Sequence, residues 1–429
     1  DAIVEGGFTV TMTDAATVGS LTIEEDSTVF DQGGYTLTLD DKDGNGFSFY
    51  LRATSTYTHN DGLVKFAGTG SSQTYYILTE SSSENFYDVE IDSSSNTYKV
   101  YTGPFECDNN FTITAGTFNT NGGDGDQSLT VTLDIHIDGT LTGNTSAISA
   151  RSVHIDGTFT HNGVLTVTGI AATNYAFQNL GTWTPATSQR TTFTGGAGTF
   201  YVKSNDWNAV TIVANNSANY YFSPKTGTGI TWTAYITVTT GSMYQNANGD
   251  SWVVGGNVLV SDDYLGVSTA TGDLTFASLT IASGGTFNAT SGTTTTTNKN
   301  ASGFAVQNSG TFTHNNGTIQ NNLNDSSLLF GSSSVYNWIV NASSTVHDGN
   351  LIVDNNLTIN SGKYLRPDNN ARVFTIYGLT SIVGTLGHTA NTGTHNFNNV
   401  TLSGTLNMNS SQTINVSGFR SIGGTLTIA

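Results

Sequence analysis

The chain has 429 residues, a net charge of −19, 36% hydrophobic and 10% charged residues. Its 13 Lys and Arg are scattered singly, which excludes a nucleic-acid groove built on clustered cations. One cysteine, Cys107, excludes an intrachain disulfide and reads as a small buried hydrophobe.

No long apolar run occurs, so no membrane insertion is expected. The chain begins at Asp1 without a signal-peptide pattern, the expectation for a processed exported protein or a trimmed one. Disorder is disfavoured, because 18 Tyr, 22 Phe and abundant Val, Ile and Thr suit strands.

The start reads as strand, with Ala2-Ile3-Val4 and then the alternation Phe8-Thr9-Val10-Thr11-Met12-Thr13. The first third is acidic: 20 of the 32 Asp and Glu lie in residues 1–126. Within it, Asp41-Lys42-Asp43-Gly44-Asn45-Gly46 places oxygen ligands Asp41, Asp43 and Asn45 at alternate positions with Gly at the sixth. That is the opening of a calcium loop. Arg52 stands at the twelfth position, where a closing Glu belongs. A Ca2+-stabilised β-turn and a solvated acidic hairpin loop are both open readings. The segment 121–126 is a weaker glycine-rich acidic candidate.

A short phrase then recurs. Ile137-Asp138-Gly139-Thr140-Leu141-Thr142 returns about 18 residues later as Ile155-Asp156-Gly157-Thr158-Phe159-Thr160. One coil of that length stacks His136 on His154 about 4.8 Å apart, with Asp138 above Asp156. The stack either holds a metal or stands as a solvent-facing ladder. Leu129-Thr130-Val131-Thr132-Leu133 and Leu165-Thr166-Val167-Thr168 alternate with period two. Asp138-Gly139, Asn162-Gly163 and Asn316-Gly317 are expected to supply positive-φ corners.

A longer repeat lies over the short one. Phe47-Ser48-Phe49, Phe177-Gln178-Asn179 and Val306-Gln307-Asn308 each lead into a Thr-aromatic-Thr triplet centred on Tyr57, Trp183 and Phe312. The segments holding Tyr87, Trp207 and Tyr336 follow in parallel. The expected organisation is an acidic β segment 1–55 and modules 56–181, 182–310 and 311–429. His59, His161 and His314 share the phrase Thr-aromatic-Thr-His-Asn, which points to a turn role. Trp207, Trp252 and Trp338 are candidates for stacking on glycans, core filling being the other reading. The doublet Asp262-Asp263 has no basic partner nearby, and no nucleophile elbow, phosphate loop or zinc spacing occurs, so no enzyme is expected.

Near the end Gly384, Gly404 and Gly424 recur at an even spacing, and Gly424-Thr425-Leu426-Thr427-Ile428 reads as strand. Strand text at both ends without a capping helix makes Ile3, Val4, Leu426 and Ile428 the expected docking residues for further copies. The expected fold is all-β, a parallel β-solenoid with coils of about 18–25 residues. Three tandem β-sandwich domains are the alternative.

Asn356-Leu357-Thr358-Ile359-Asn360-Ser361-Gly362, Asn399-Val400-Thr401-Leu402-Ser403-Gly404 and Gly310-Thr311-Phe312-Thr313-His314-Asn315 resemble the repeats of exported β-solenoid proteins. Filamentous-haemagglutinin-like adhesins, autotransporter passengers and phage fibre proteins carry such text. The likeness covers the chain from about residue 105 onward and concerns architecture. It implies an extracellular place, on a cell or virion surface, and no catalytic residue carries over. The leading expectation is a non-enzymatic structural subunit of an extracellular filament, sheath or surface layer, whose partner is itself. A carbohydrate-binding adhesin or viral fibre protein is the alternative, and a polysaccharide-active β-helix enzyme a second one.

Overall fold

A computed structural model describes residues 1–24, 26–80, 85–246, 249–266, 271–347, 350–368, 372–387, 393–408 and 412–428. Every named element among them is a β-strand, and the ladders joining the strands are parallel. The fold is a β-solenoid of about 18 turns, each about 22 residues long. Tandem sandwiches, which are antiparallel, are overturned. The chain forms two compact units, Asp1–Asn208 and Ala209–Ala429, and the division falls inside the expected module 182–310.

In the first unit the coil length varies. A tight coil separates Ile135 from its ladder partner Val153, whereas a much wider one separates Leu21 from its partner Phe49. The wide step carries the turn at residues 41–46, so the extra chain leaves the ladder without disturbing its register. In the second unit Ile236 pairs with Val258 and Leu406 with Leu426, both steps close to the mean coil length.

Period-two alternation becomes an inside and an outside. In the first unit Ile135, Ile137, Val153 and Ile155 are buried while the residues between them face out. Phe105, Phe111 and Phe118 meet edge-to-face at 4.8–5.7 Å between ring centres. In the second unit Trp232 and Trp252 lie 5.1 Å apart, and Trp338 meets Phe330 at 5.7 Å. Burying each such ring is worth about 2–3 kcal/mol, and that repeated contribution holds the coils together. Cys107 is buried, and burial pushes its thiol pKa up, as suits a small core hydrophobe.

The recurring turn glycines answer a different need from the one expected. Gly139, Gly163 and Gly317 have ordinary negative or extended φ; the positive-φ residues before Gly317 are Asn315 and Asn316, at 44° and 61°. What forbids a side chain is the coil below. A Cβ on Gly157 would lie 2.5 Å from the carbonyl carbon of Asp138 and closer still to the Gly139 oxygen. The same Gly139 carbonyl accepts a hydrogen bond from Thr158 N at 2.8 Å. The backbone at these corners stacks directly on itself, so the repeat of Gly is a repeat of close approach rather than of left-handed conformation.

Candidate functional site

The parallel strands Asp134–Ile137 and Ser152–Ile155 run in register, with His136 directly beside His154. Because Ile135, Ile137, Val153 and Ile155 fill the interior, period two sends both imidazoles outward. Their rings stack with centres 4.6 Å apart and planes 13° from parallel. Each strand ends in an Asp-Gly corner, which turns Asp138 and Asp156 back toward the rings. His154 Nε2 lies 2.7 Å from Asp156 Oδ2; His136 Nε2 lies 3.0 Å from Asp138 Oδ1 and 3.5 Å from Asp156 Oδ2.

The neighbouring rungs are neutral. Thr112 pairs with His136 on one side and Gln178 with His154 on the other. Arg151 stays at the other end of the strand, held by Asp134 through contacts of 2.9 and 2.6 Å. Ser152 Oγ donates to the same carboxylate at 2.7 Å. Among the described residues, His136, His154 and Asp156 are the group of His, Cys, Asp and Glu side chains whose ligand atoms converge, all within 4.8 Å of one another.

Two other histidines form a repeated structural device, one in each unit. The His59 ring stacks on Tyr87 at 5.4 Å, its Nε2 faces Asp108 Oδ2 at 3.2 Å, and Asp61 N donates to its Nδ1. The His314 ring stacks on Tyr336 at 5.5 Å, its Nε2 faces Asp354 Oδ2 at 3.0 Å, and Asn316 N donates to its Nδ1. An Nδ1 that accepts leaves Nε2 to carry the proton toward the carboxylate. Both ring nitrogens are thus occupied in holding a turn. His161, from the same phrase, is buried with Nε2 2.8 Å from Ser146 O, because its strand Thr158–His161 runs one residue further before turning.

The residues singled out in sequence fare unequally. Asp43 Oδ1 accepts the backbone N–H groups of Asn45 and Phe47 at 2.9 and 2.8 Å, so it shapes the turn at residues 41–46. Lys42 leaves that turn to reach Thr74 O at 3.0 Å. The glycan-stacking reading of Trp207, Trp252 and Trp338 is overturned: all three are at most 3% exposed and fill the interior. They sit at inward positions of their strands, where a large ring is worth more as core than as a platform.

At the ends, Ala2–Val4 pairs with Leu21–Ile23, and Thr425–Ile428 pairs with Thr405–Met408. Val4 is buried, whereas Ile3 and Leu426 are 59% and 48% exposed. Phe8 and Phe419 on the end coils are exposed as well.

One feature gave no sequence signal. In the second unit an open groove of roughly 720 Å³ runs past Tyr235, Gly255, Gly256, Asn257, Asn300 and Gln307. It forms where the ladder register shifts between Val254 and Asn257 and two glycines remove side chains from the wall. Asn300 spans it, donating to Thr280 Oγ1 and Gln307 Oε1 at 3.1 and 2.8 Å. No family model matches this chain, and no curated protein or solved structure matches it.

Proposed function

We propose that the chain is a non-enzymatic structural subunit of an extracellular assembly, a filament, sheath or surface layer whose members join by strand pairing. The observation that carries this reading is the state of the end coils. In the interior, the inward-facing apolar residues of a coil such as Ile135, Ile137, Val258 and Val260 are covered by the coils on either side. On the first and last described coils Ile3, Phe8, Val10, Phe419, Ile422 and Leu426 are 41–70% exposed. A further coil would bury them and pair with the backbone edge beside them, in the way every inner coil does. In this proposal the further coil comes from another copy.

Negative-stain microscopy and sedimentation of the purified chain over a range of concentrations test it. End-to-end polymers are expected, and monomers at every concentration would overturn it. Ile428, whose backbone pairs with Met408, supplies the sharper test. Ile428→Pro removes a strand donor and shortens the polymers; unchanged polymer length counts against joining through this strand.

A second reading, a glycan-binding surface, rests on the groove beside Tyr235, which is 37% exposed and lies among amide side chains. Saturable binding to a glycan array by the monomer, lost in Tyr235→Ala, would favour it over the first.

A further inference from the structure

We propose that the face carrying His136 and His154 is a binding site for one divalent transition-metal ion of the zinc class. Nε2 of His136, Nε2 of His154 and a carboxylate oxygen of Asp156 are the ligands, and Asp138, with Oδ1 3.0 Å from His136 Nε2, is the neighbouring carboxylate. Four observations carry this.

The first is geometry. Zinc bonds of about 2.0–2.1 Å place tetrahedral ligand atoms roughly 3.3–3.4 Å apart. His136 Nε2 and Asp156 Oδ2 are 3.5 Å apart, and the three ligand atoms lie within 4.8 Å of one another. To share one ion the ligand atoms must close by up to about 1.4 Å and the near-parallel rings must tilt toward each other, at side chains that are 42% and 25% exposed. The Cα positions are fixed in register by the ladder, so the adjustment is confined to side-chain torsions.

The second is the donor set. Two imidazole nitrogens and carboxylate oxygens suit zinc, nickel, cobalt or copper(II). Calcium and magnesium take oxygen alone. The third is charge. Two carboxylates with two neutral imidazoles match a dication, and the adjacent Arg151 is engaged by Asp134. The fourth is access. Thr112 and Gln178 flank the pair along the ladder, and neither competes for nor repels a cation.

On binding, the ion takes the place of the Nε2–carboxylate contacts, and each imidazole keeps its one proton on Nδ1. The ion then ties two successive coils together at their outer face. This stands apart from the assembly reading, since the site lies mid-ladder in the first unit.

The test is calorimetric titration of ZnCl2 into the chelator-treated full chain, with cobalt(II) absorption as a geometric readout. One equivalent is expected, with visible bands of a low-coordinate cobalt centre. His136→Asn and His154→Asn should each weaken binding at least about tenfold, and Asp156→Asn should do the same. All three positions face solvent, and circular dichroism of each variant is the check that the ladder stays intact. His347→Asn, at a separate His–Asp pair with Nδ1 3.3 Å from Asp368, should leave the titration unchanged. No zinc uptake by the wild type at millimolar metal overturns the site. So does binding that survives His136→Asn/His154→Asn, or that is indifferent to Asp156→Asn.

Discussion

Gly157→Ala probes the claim that the corner glycines are there for close approach. Ordinary contact begins near 3.4 Å, whereas the new Cβ would sit 2.5 Å from Asp138 C and nearer still to Gly139 O. The corner must open by about 1 Å or more. Two cross-coil bonds lie in the path: Gly157 N to Ile137 O at 2.7 Å and Thr158 N to Gly139 O at 2.8 Å. Losing or stretching both costs about 1 kcal/mol each, and forced overpacking adds about 1–3 kcal/mol. Against this, Ala gains about 0.4–1 kcal/mol through the unfolded chain. The net expectation is a loss of about 2–4 kcal/mol, a fall in melting midpoint of roughly 5–15 °C for a unit of this size. Thermal unfolding followed by circular dichroism reads it. Gly196→Ala is the matched control: nothing lies within 4 Å of its new Cβ and its φ is ordinary, so it should be neutral or slightly stabilising. Equal midpoints for the two variants would refute the stacking argument, because the substitution is chemically the same in both.

Further expectations bear on the core and the ladders. Trp338, between Ile319 and Leu357 in the ladder and wholly buried, should cost about 3–5 kcal/mol as Trp338→Ala in chemical denaturation. Tyr235→Ala, at the exposed groove, should move the same midpoint little. Asn341 donates to Asn322 Oδ1 at 2.8 Å and accepts from Asn360 Nδ2 at 2.9 Å, so Asn341→Ala breaks two rungs for about 0.5–1.5 kcal/mol. His395 lies between Phe374 and Phe397, and burial pushes its pKa down to about 4. The unfolded chain takes that proton near 6.5, so between about pH 6.5 and 4 the unfolded state binds more protons. The stability contributed by the neutral ring is whole above that window and is lost as pH falls through it. His395→Phe should flatten the acid limb of midpoint against pH; an unaltered limb would place the effect elsewhere. His161, also shifted down by burial, contributes in the same direction in the first unit.

Much of the coil was legible because its cause is local. The close recurrence of Ile-Asp-Gly-Thr places His136 on His154, since an in-register ladder converts equal spacing into adjacency. The Thr-aromatic-Thr-His-Asn phrase foretold a turn role for His59 and His314. The side chain of Trp207, Trp252 or Trp338 was not legible in the same way. Whether an aromatic faces in depends on where its strand enters the ladder, and a one-residue change reverses it. The contrast of His161 with His314 shows this within one phrase. The wide step from Leu21 to Phe49 was missed because a turn of any length can separate two rungs. The groove arises from a register shift at residues 254–257, a property of two coils together that neither carries alone.

That wide step has a practical side. The rungs at Leu21 and Phe49 keep their pairing although far more chain passes between them than between Ile135 and Val153, and the excess includes a hydrogen-bonded turn tied by Asp43. Length is therefore negotiable at such corners while the ladder is not. A peptide tag or epitope spliced at Gly44, where a side chain would meet nothing, would be displayed outward at the cost of loop closure and of the hydrogen bonds by which Asp43 ties the turn.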